Sequence, residues 1–157
     1  MKACGLIVEY NPFHNGHKYH LLKAQEITKC DLTIACMSGN YLQRGEPALL
    51  NKWLRAEMAV ENGVDLVVEL PSFYSNESAE IFALGAIKIL DYLKADSICF
   101  GSEAGEVESL QNIVDFSERK EFSERVKELL KDGISYPNAM RILIEEEFGE
   151  NSLNPNN

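Results

Sequence analysis

All three histidines of this 157-residue chain, His14, His17 and His20, fall in the stretch "YNPFHNGHKYH" at residues 10–20. Histidines used for packing would be scattered, and these are interleaved with Asn, Pro and Gly, residues that shape turns. A loop that enters a helix near Gly16 presents backbone N–H groups and the positive end of a helix dipole, which together favour an anion. Gly16 lets a ligand come close to the backbone, and His14 and His17 can place N–H donors beside it. Two imidazoles aimed at one point suit a phosphoryl group whose charge grows during reaction. Imidazole is flatter and stiffer than a lysine side chain and can donate while neutral. The chemistry this allows is reaction at a phosphoryl group, which needs in-line positioning and charge stabilisation more than covalent help from the protein. No Ser-His-Asp or Cys-His order points to a covalent enzyme intermediate.

The same window has blander readings. The histidines can be surface or turn residues without a role, or the H-x-x-H-x-x-H spacing can hold zinc. Zinc lacks a carboxylate or thiolate nearby in sequence to complete four ligands. His20 reads as structural, or as a partner that orients another group. Asn11-Pro12 reads as a turn that positions the histidines, because proline forces its predecessor out of the α region. Glu9 either faces the pocket or simply ends a strand. Lys52 reads as an exposed charge, Trp53 as a core residue at helical spacing, and Glu145, Glu146 and Glu147 as a solvated helix face.

The elements that must carry this loop are legible as hydrophobic runs. Residues 3–9 "ACGLIVE", 31–37 "DLTIACM", 64–69 "VDLVVEL" and 97–101 "SICFG" are near-continuously apolar, as strands covered on both faces of a parallel sheet are. Helical patterns lie between them at 16–28, at 50–62 closing on Gly63, and at 77–94 with 3.6-residue periodicity. The alternation predicts an α/β fold with a doubly wound parallel sheet and right-handed crossovers. In such sheets ligands bind beyond the carboxyl ends of the strands, so "EYNPFHNGH", "MSGNYLQRGEPAL", "PSFYSN" and "FGSE" should share one rim. Amphipathic helices at about 106–117, 119–132 and 135–148 follow. We expect residues 1–105 to form the α/β domain and 106–157 a helical extension packed on it.

Composition sets the outer bounds. Apolar residues make up 45% and charged residues 25%, the balance of an ordinary globular protein. No apolar run reaches membrane-spanning length, and the N-terminus does not read as a signal peptide. Cys4, Cys30, Cys36 and Cys99 form no C-x-x-C pair and read as reduced thiols of a cytoplasmic protein. The net charge is −10, which makes a poor stand-alone nucleic-acid binder. The turn-rich ending "GENSLNPNN" reads as an N-terminal fragment of something longer.

The segment His14-Asn15-Gly16-His17 after a first strand resembles the H-x-G-H motif of the nucleotidylyltransferase superfamily. A longer match, "GLIVEYNPFHNGHKYHL", then "MSGNYLQRGEPALLNKWLRAEMAVENGVDLVVELP", then "FGSE", resembles the bacterial tRNA(Met) cytidine acetate ligase family. The resemblance implies a Rossmann-like fold and an enzyme that forms acetyl-adenylate and pyrophosphate from ATP and acetate. It further implies transfer of the acetyl group to N4 of the wobble cytidine of elongator tRNA(Met). Carried onto this chain, it makes His14 and His17 the groups that stabilise the pentacovalent α-phosphate. It makes the segment Ile7, Val8, Glu9, Tyr10, Asn11, Pro12, Phe13, His14, Asn15, Gly16, His17, Lys18, Tyr19 and His20 the wrap around ATP. Gly101 would line the adenosine pocket, and Asn156 would be a further ATP contact, with Asn154 and Asn157 as alternatives. Mg²⁺ should accompany the triphosphate, and Arg44 in the rim loop becomes a candidate for a phosphate or tRNA contact. The resemblance places a basic nucleotide-binding segment and much of the tRNA surface beyond residue 157. Two rival functions are a small-metabolite adenylyltransferase of the pantetheine-phosphate or nicotinamide-nucleotide type, and a non-catalytic nucleotide- or RNA-binding module.

Overall fold

The structure, a computed structural model, describes residues 1–101 and 107–149. The chain divides into two compact units, Met1–Phe100 and Gly101–Asn157. The first unit is the expected α/β fold. Strands β1 (Ala3–Val8), β2 (Leu32–Ser38), β3 (Leu66–Leu70) and β4 (Ser97–Cys99) form one parallel sheet in the order β3-β2-β1-β4. Helix α1 (Asn15–Thr28) joins β1 to β2, and α2 (Lys52–Glu61) joins β2 to β3. A short helix α3 (Ser72–Ser75), absent from the sequence expectation, precedes α4 (Ala79–Tyr92).

Alternation along the central strands decides which helix covers which face. Cys4, Leu6 and Val8 of β1, with Ala35 and Met37 of β2, pack with Leu21 and Ala24 of α1 and Ala59 of α2. Ala3 and Ile7, with Ile34 and Cys36, pack with Ala86 and Leu90 of α4 on the opposite face. That segregation follows from handed crossovers: the chain runs outward from β1 to β3, then returns past β1 to β4, so its last helix changes face. Gly5 brings α4 close to the central strand, for a Cβ there would stand 2.6 Å from a Leu90 methyl. The expectation of strands covered on both faces holds for β1 and β2. It fails for β3 and β4, which are edge strands carrying exposed Leu66 and Ile98.

Local chemistry ends the elements. Asn51 caps α2 by accepting the Leu54 amide at 3.0 Å, so the helix begins two residues later than its apolar pattern. Gly63, at φ +106°, closes it: its amide reaches Val60 O at 3.0 Å, and Val64 N–H reaches Ala59 O at 3.1 Å. The amino edge of the sheet is stapled by an aspartate before each later strand. Asp31 accepts the Lys2 amide at 2.6 Å, Asp96 the Ala3 amide at 2.7 Å, and Asp65 both the Thr33 amide at 2.7 Å and its hydroxyl at 2.8 Å. Strand starts expose unpaired N–H groups, and carboxylates are the strongest acceptors for them.

The second unit contains α5 (Val107–Ser117), α6 (Lys120–Lys131) and α7 (Tyr136–Phe148), with Phe122, Val126, Leu143 and Ile144 at its centre. The acidic run is a solvated face laced with ion pairs: Glu145 with Arg141, Glu146 with Arg125, and Glu147 with Arg119. All four cysteines are free thiols, and burial pushes the Cys36 thiol up to about 12. Among the described residues, no helix is long and apolar enough to cross a membrane.

Candidate functional site at the carboxyl end of the first strand

The order β3-β2-β1-β4 reverses direction beside β1, and in open α/β sheets ligands bind beyond the carboxyl ends of the strands at such a switch point. The histidine loop leaves β1 at that point. Ile7 and Val8 are still strand residues whose side chains enter the two cores, so only their backbone is free to meet a ligand. Tyr10, at φ +48° and almost fully buried, turns the chain out of the strand. The Asn11–Pro12 peptide that follows is cis, and the Asn11 side chain accepts the Leu49 amide at 2.7 Å. Phe13 is buried against Tyr10, with ring centroids 4.8 Å apart.

His14 is the N-cap of α1. Its Nδ1 accepts the Gly16 amide at 3.1 Å, and the Nδ1 of His17 accepts the His14 amide at 3.3 Å. The two rings stack with centroids 3.7 Å apart and planes 23° from parallel. This modifies the sequence expectation, since two of the amides expected to be open at the helix start are taken by the imidazoles themselves. A neutral imidazole that accepts at Nδ1 carries its proton on Nε2. Each ring is therefore left with one N–H donor on its far nitrogen, and the helix dipole backs both.

Neutrality is enforced at His17 by its surroundings. Burial lowers its pKa to about 4, and charge repulsion from His14 and then His20 acts in the same direction. Tyr10 stands edge-on to the His17 ring at 4.9 Å, and Phe13 lies at 5.7 Å. His20, one helical turn on, is also pushed below its ordinary range by burial, against the pull of the Cys99 backbone at the end of β4. Its Nε2 is enclosed and has no hydrogen-bond partner. The three histidines thus run along the start of α1 from the loop towards β4. Among the described residues, no group of three or more His, Cys, Asp or Glu side chains is placed to hold a metal ion.

The remaining candidates divide. Asn15, Gly16, Lys18 and Tyr19 lie on the exposed first turns of α1. The Glu9 carboxylate accepts the Gln43 amide at 2.6 Å, which ties the loop to the neighbouring rim segment. That segment folds as a tight hairpin, with Leu42 N–H bonded to Glu46 O at 2.8 Å and Gly45 at φ +78°. Arg44 sits exposed in its turn, and no ion pair or hydrogen bond engages its guanidinium among the described residues. Lys52 is not a free charge: its ammonium pairs with Glu69 at 2.6 Å. Trp53 corrects the sequence expectation, for it is 75% exposed instead of core. Helical spacing located it on a helix, but α2 buries Arg55 and Ala59 and turns Trp53 to solvent. Gly101 is exposed two residues beyond β4, and a Cβ there would touch nothing within 4 Å. Asn154, Asn156 and Asn157 lie outside the described residues.

Sequence reasoning missed Arg55. This side chain is fully buried and gives its hydrogen bonds to backbone carbonyls at the ends of β1 and β2. The available signal was a lone arginine one helical turn from Ala59, on the side of α2 that should be apolar.

Comparison with known proteins gives the same outline. The family model described as HIGH Nucleotidyl Transferase matches residues 1–157. The chain is similar to a tRNA(Met) cytidine acetate ligase of Caldicellulosiruptor saccharolyticus, 51% identical over 100% of this chain and 40% of that protein. A protein of the same name from Thermoanaerobacter sp. strain X514 is 49% identical over 98% of this chain and 39% of its own length. Among solved structures, Thermotoga maritima TmcAL bound with alpha-thio ATP superimposes with a TM-score of 0.86 at 44% identity, covering 98% of this chain and 38% of that one. The chain therefore spans about 40% of the length of the curated relatives it matches. A first strand that opens into a histidine-capped helix at the switch point of a parallel sheet, matched along its whole length, places this chain in the HIGH nucleotidyl transferase family.

Proposed function

We propose that this chain is the ATP-binding, carboxylate-activating part of a tRNA(Met) cytidine acetate ligase. In this reading acetate attacks the α-phosphorus of ATP, pyrophosphate leaves, and acetyl-adenylate forms. The acetyl group then passes to N4 of the wobble cytidine of elongator tRNA(Met), giving N4-acetylcytidine and AMP. One observation carries the first half: the stacked His14 and His17, each accepting a backbone amide at Nδ1, which leaves Nε2 as the nitrogen to donate. Negative charge accumulates on the α-phosphoryl oxygens as the nucleophile arrives. A pair of preorganised N–H donors at a helix start stabilises that charge. A cationic pair would repel itself at this separation, and the lowered pKa of His17 avoids that.

The segment from Ile7 to His20 would wrap the nucleotide, with Gly101 and Asn156 as further contacts. Mg²⁺ would accompany the triphosphate and offset its charge. Arg44, exposed in the rim turn, would meet phosphate or tRNA. Support for ATP comes from the similarity to a solved protein carrying an ATP analogue, and support for acetate and tRNA(Met) from the names of the relatives.

The test uses a protein of the relatives' full length that carries this sequence, incubated with labelled acetate, ATP and elongator tRNA(Met). Acetylcytidine should form, and His17→Ala should lower turnover roughly 10²-fold or more, as loss of a transition-state donor does. If no acetylcytidine forms while a dinucleotide-type product appears with a phosphate acceptor, the small-metabolite adenylyltransferase reading replaces this one. Unchanged turnover in His17→Ala would favour a non-catalytic binding module.

A further inference from the structure

Arg55 is the largest fully buried side chain among the described residues; no carboxylate among them hydrogen-bonds it, though the charges of Glu9 and Glu69 favour its cationic form. Its Nη1 donates to the carbonyl of Glu9, its Nη2 to those of Ser38 (3.0 Å) and Gly39, and its Nε to that of Leu50 (3.2 Å). A buried cation persists only where its donors are met, and guanidinium presents them in a fixed planar fork. Here the fork meets the carbonyls left unpaired where β1 and β2 stop. The aspartates at the amino edge take N–H groups, and this single cation takes C=O groups at the carboxyl edge.

The bonds lead directly into the site. Glu9 precedes Tyr10, whose left-handed backbone sends the chain towards His14, so the orientation of the Glu9 peptide sets where the histidine loop leaves the sheet. Gly39 and Leu50 bracket the rim segment that carries Arg44. That segment returns to the loop twice, through Gln43 N–H on the Glu9 carboxylate and Leu49 N–H on Asn11.

We infer that Arg55 is a positioning residue for the adenylation chemistry: by holding the Glu9, Ser38, Gly39 and Leu50 carbonyls in one fork, it fixes the stacked His14–His17 pair relative to the rim. The inference rests on reading those histidines as the donors to the α-phosphate. It is independent of fold stability in its consequence, because a lysine at 55 retains the charge, but its three donors radiate from a single nitrogen and cannot span the four carbonyls that Arg55 reaches from three separate nitrogens.

Three measurements test it. The first is a long-range ¹⁵N–¹H histidine spectrum of this chain, which reports ring tautomers directly and has only three histidines to assign. The unaltered chain should show His14 and His17 as Nε2–H forms. Folded Arg55→Lys and Arg55→Gln should show mixed tautomers at both. The second is acetate-dependent ATP–pyrophosphate exchange in the full-length protein, where kcat should fall roughly 10²-fold in Arg55→Lys, the usual cost of misplacing a reacting group by about 1 Å. The third adds methylguanidinium to Arg55→Ala, which should restore the tautomers together with exchange. Wild-type tautomers in either folded variant, or methylguanidinium that restores folding without them, overturns the inference. If the unaltered protein shows the Nε2–H pair yet fails to bind ATP, it is the functional reading that falls, and the inference falls with it. The two failures are read on different samples.

Discussion

Replacing Gly16 by alanine should separate stability from chemistry at this site. A Cβ built on Gly16 lies 2.9 Å from His14 Cε1 and 3.1 Å from His14 Nδ1. Carbon atoms rest at about 3.5–4.0 Å, so the His14 ring must retreat by roughly 0.5–1 Å. It retreats along the direction that breaks its 3.1 Å hydrogen bond with the Gly16 amide, freeing its tautomer and disturbing its stack on His17. The backbone does not object, because Gly16 is not in the left-handed region. Losing one exposed hydrogen bond costs about 1 kcal/mol, and alanine in place of glycine returns up to about 1 kcal/mol of helix propensity. Net stability should therefore change by less than about 1 kcal/mol. The displaced donor should cost up to about 10²-fold in turnover. Thermal melting of Gly16→Ala beside acetate-dependent ATP–pyrophosphate exchange checks both halves. Exchange at the wild-type rate, with His14 still in its Nε2–H form, would refute the claim that this ring is held in place for catalysis.

His17 should titrate near pH 4 in the folded chain instead of near its ordinary 6.5, so at pH 5.5 about 3% of it is protonated where an unperturbed histidine would be about 90%. An NMR titration of its ring proton checks this, and a midpoint near 6.5 contradicts the burial argument. Since the unfolded chain binds this proton more readily, the contribution of His17 to stability is complete above about pH 6.5 and is lost as pH falls towards 4. Asp65→Ala should destabilise the first unit by about 1.5–3 kcal/mol, because the buried Thr33 loses partners for both its amide and its hydroxyl. Denaturant unfolding measures it, and a loss below about 0.5 kcal/mol would mean that water replaces the carboxylate.

Much of this protein is written into local sequence. Four apolar runs alternating with helical patterns dictate a parallel α/β sheet, because continuous hydrophobicity leaves no solvent face for β1 and β2. Gly63 marks the end of α2 by chemistry that acts over a few residues. The histidine loop was legible for the same reason: a helix start with imidazoles has a meaning that needs no distant partner. Its resemblance to a family added the substrate class, which hydrophobic pattern could not.

What folding in three dimensions settled concerns partners far apart in the chain. Strand order placed β4 beside β1 and so made a switch point where the histidines emerge, while leaving β3 and β4 as exposed edges. Periodicity located Trp53 on a helix but assigned it the wrong side, and it gave Arg55 no role. Which face of α2 is buried depends on the carbonyls waiting at the ends of β1 and β2, one of them 46 residues earlier. The mutual capping of His14 and His17 likewise depends on the turn at Tyr10, whose burial is supplied by the core beneath it. A side chain's type can be read in isolation. Its protonation, its tautomer and its direction are set by whichever groups the fold brings within hydrogen-bonding distance, and that distance is short compared with the separations in sequence that it spans.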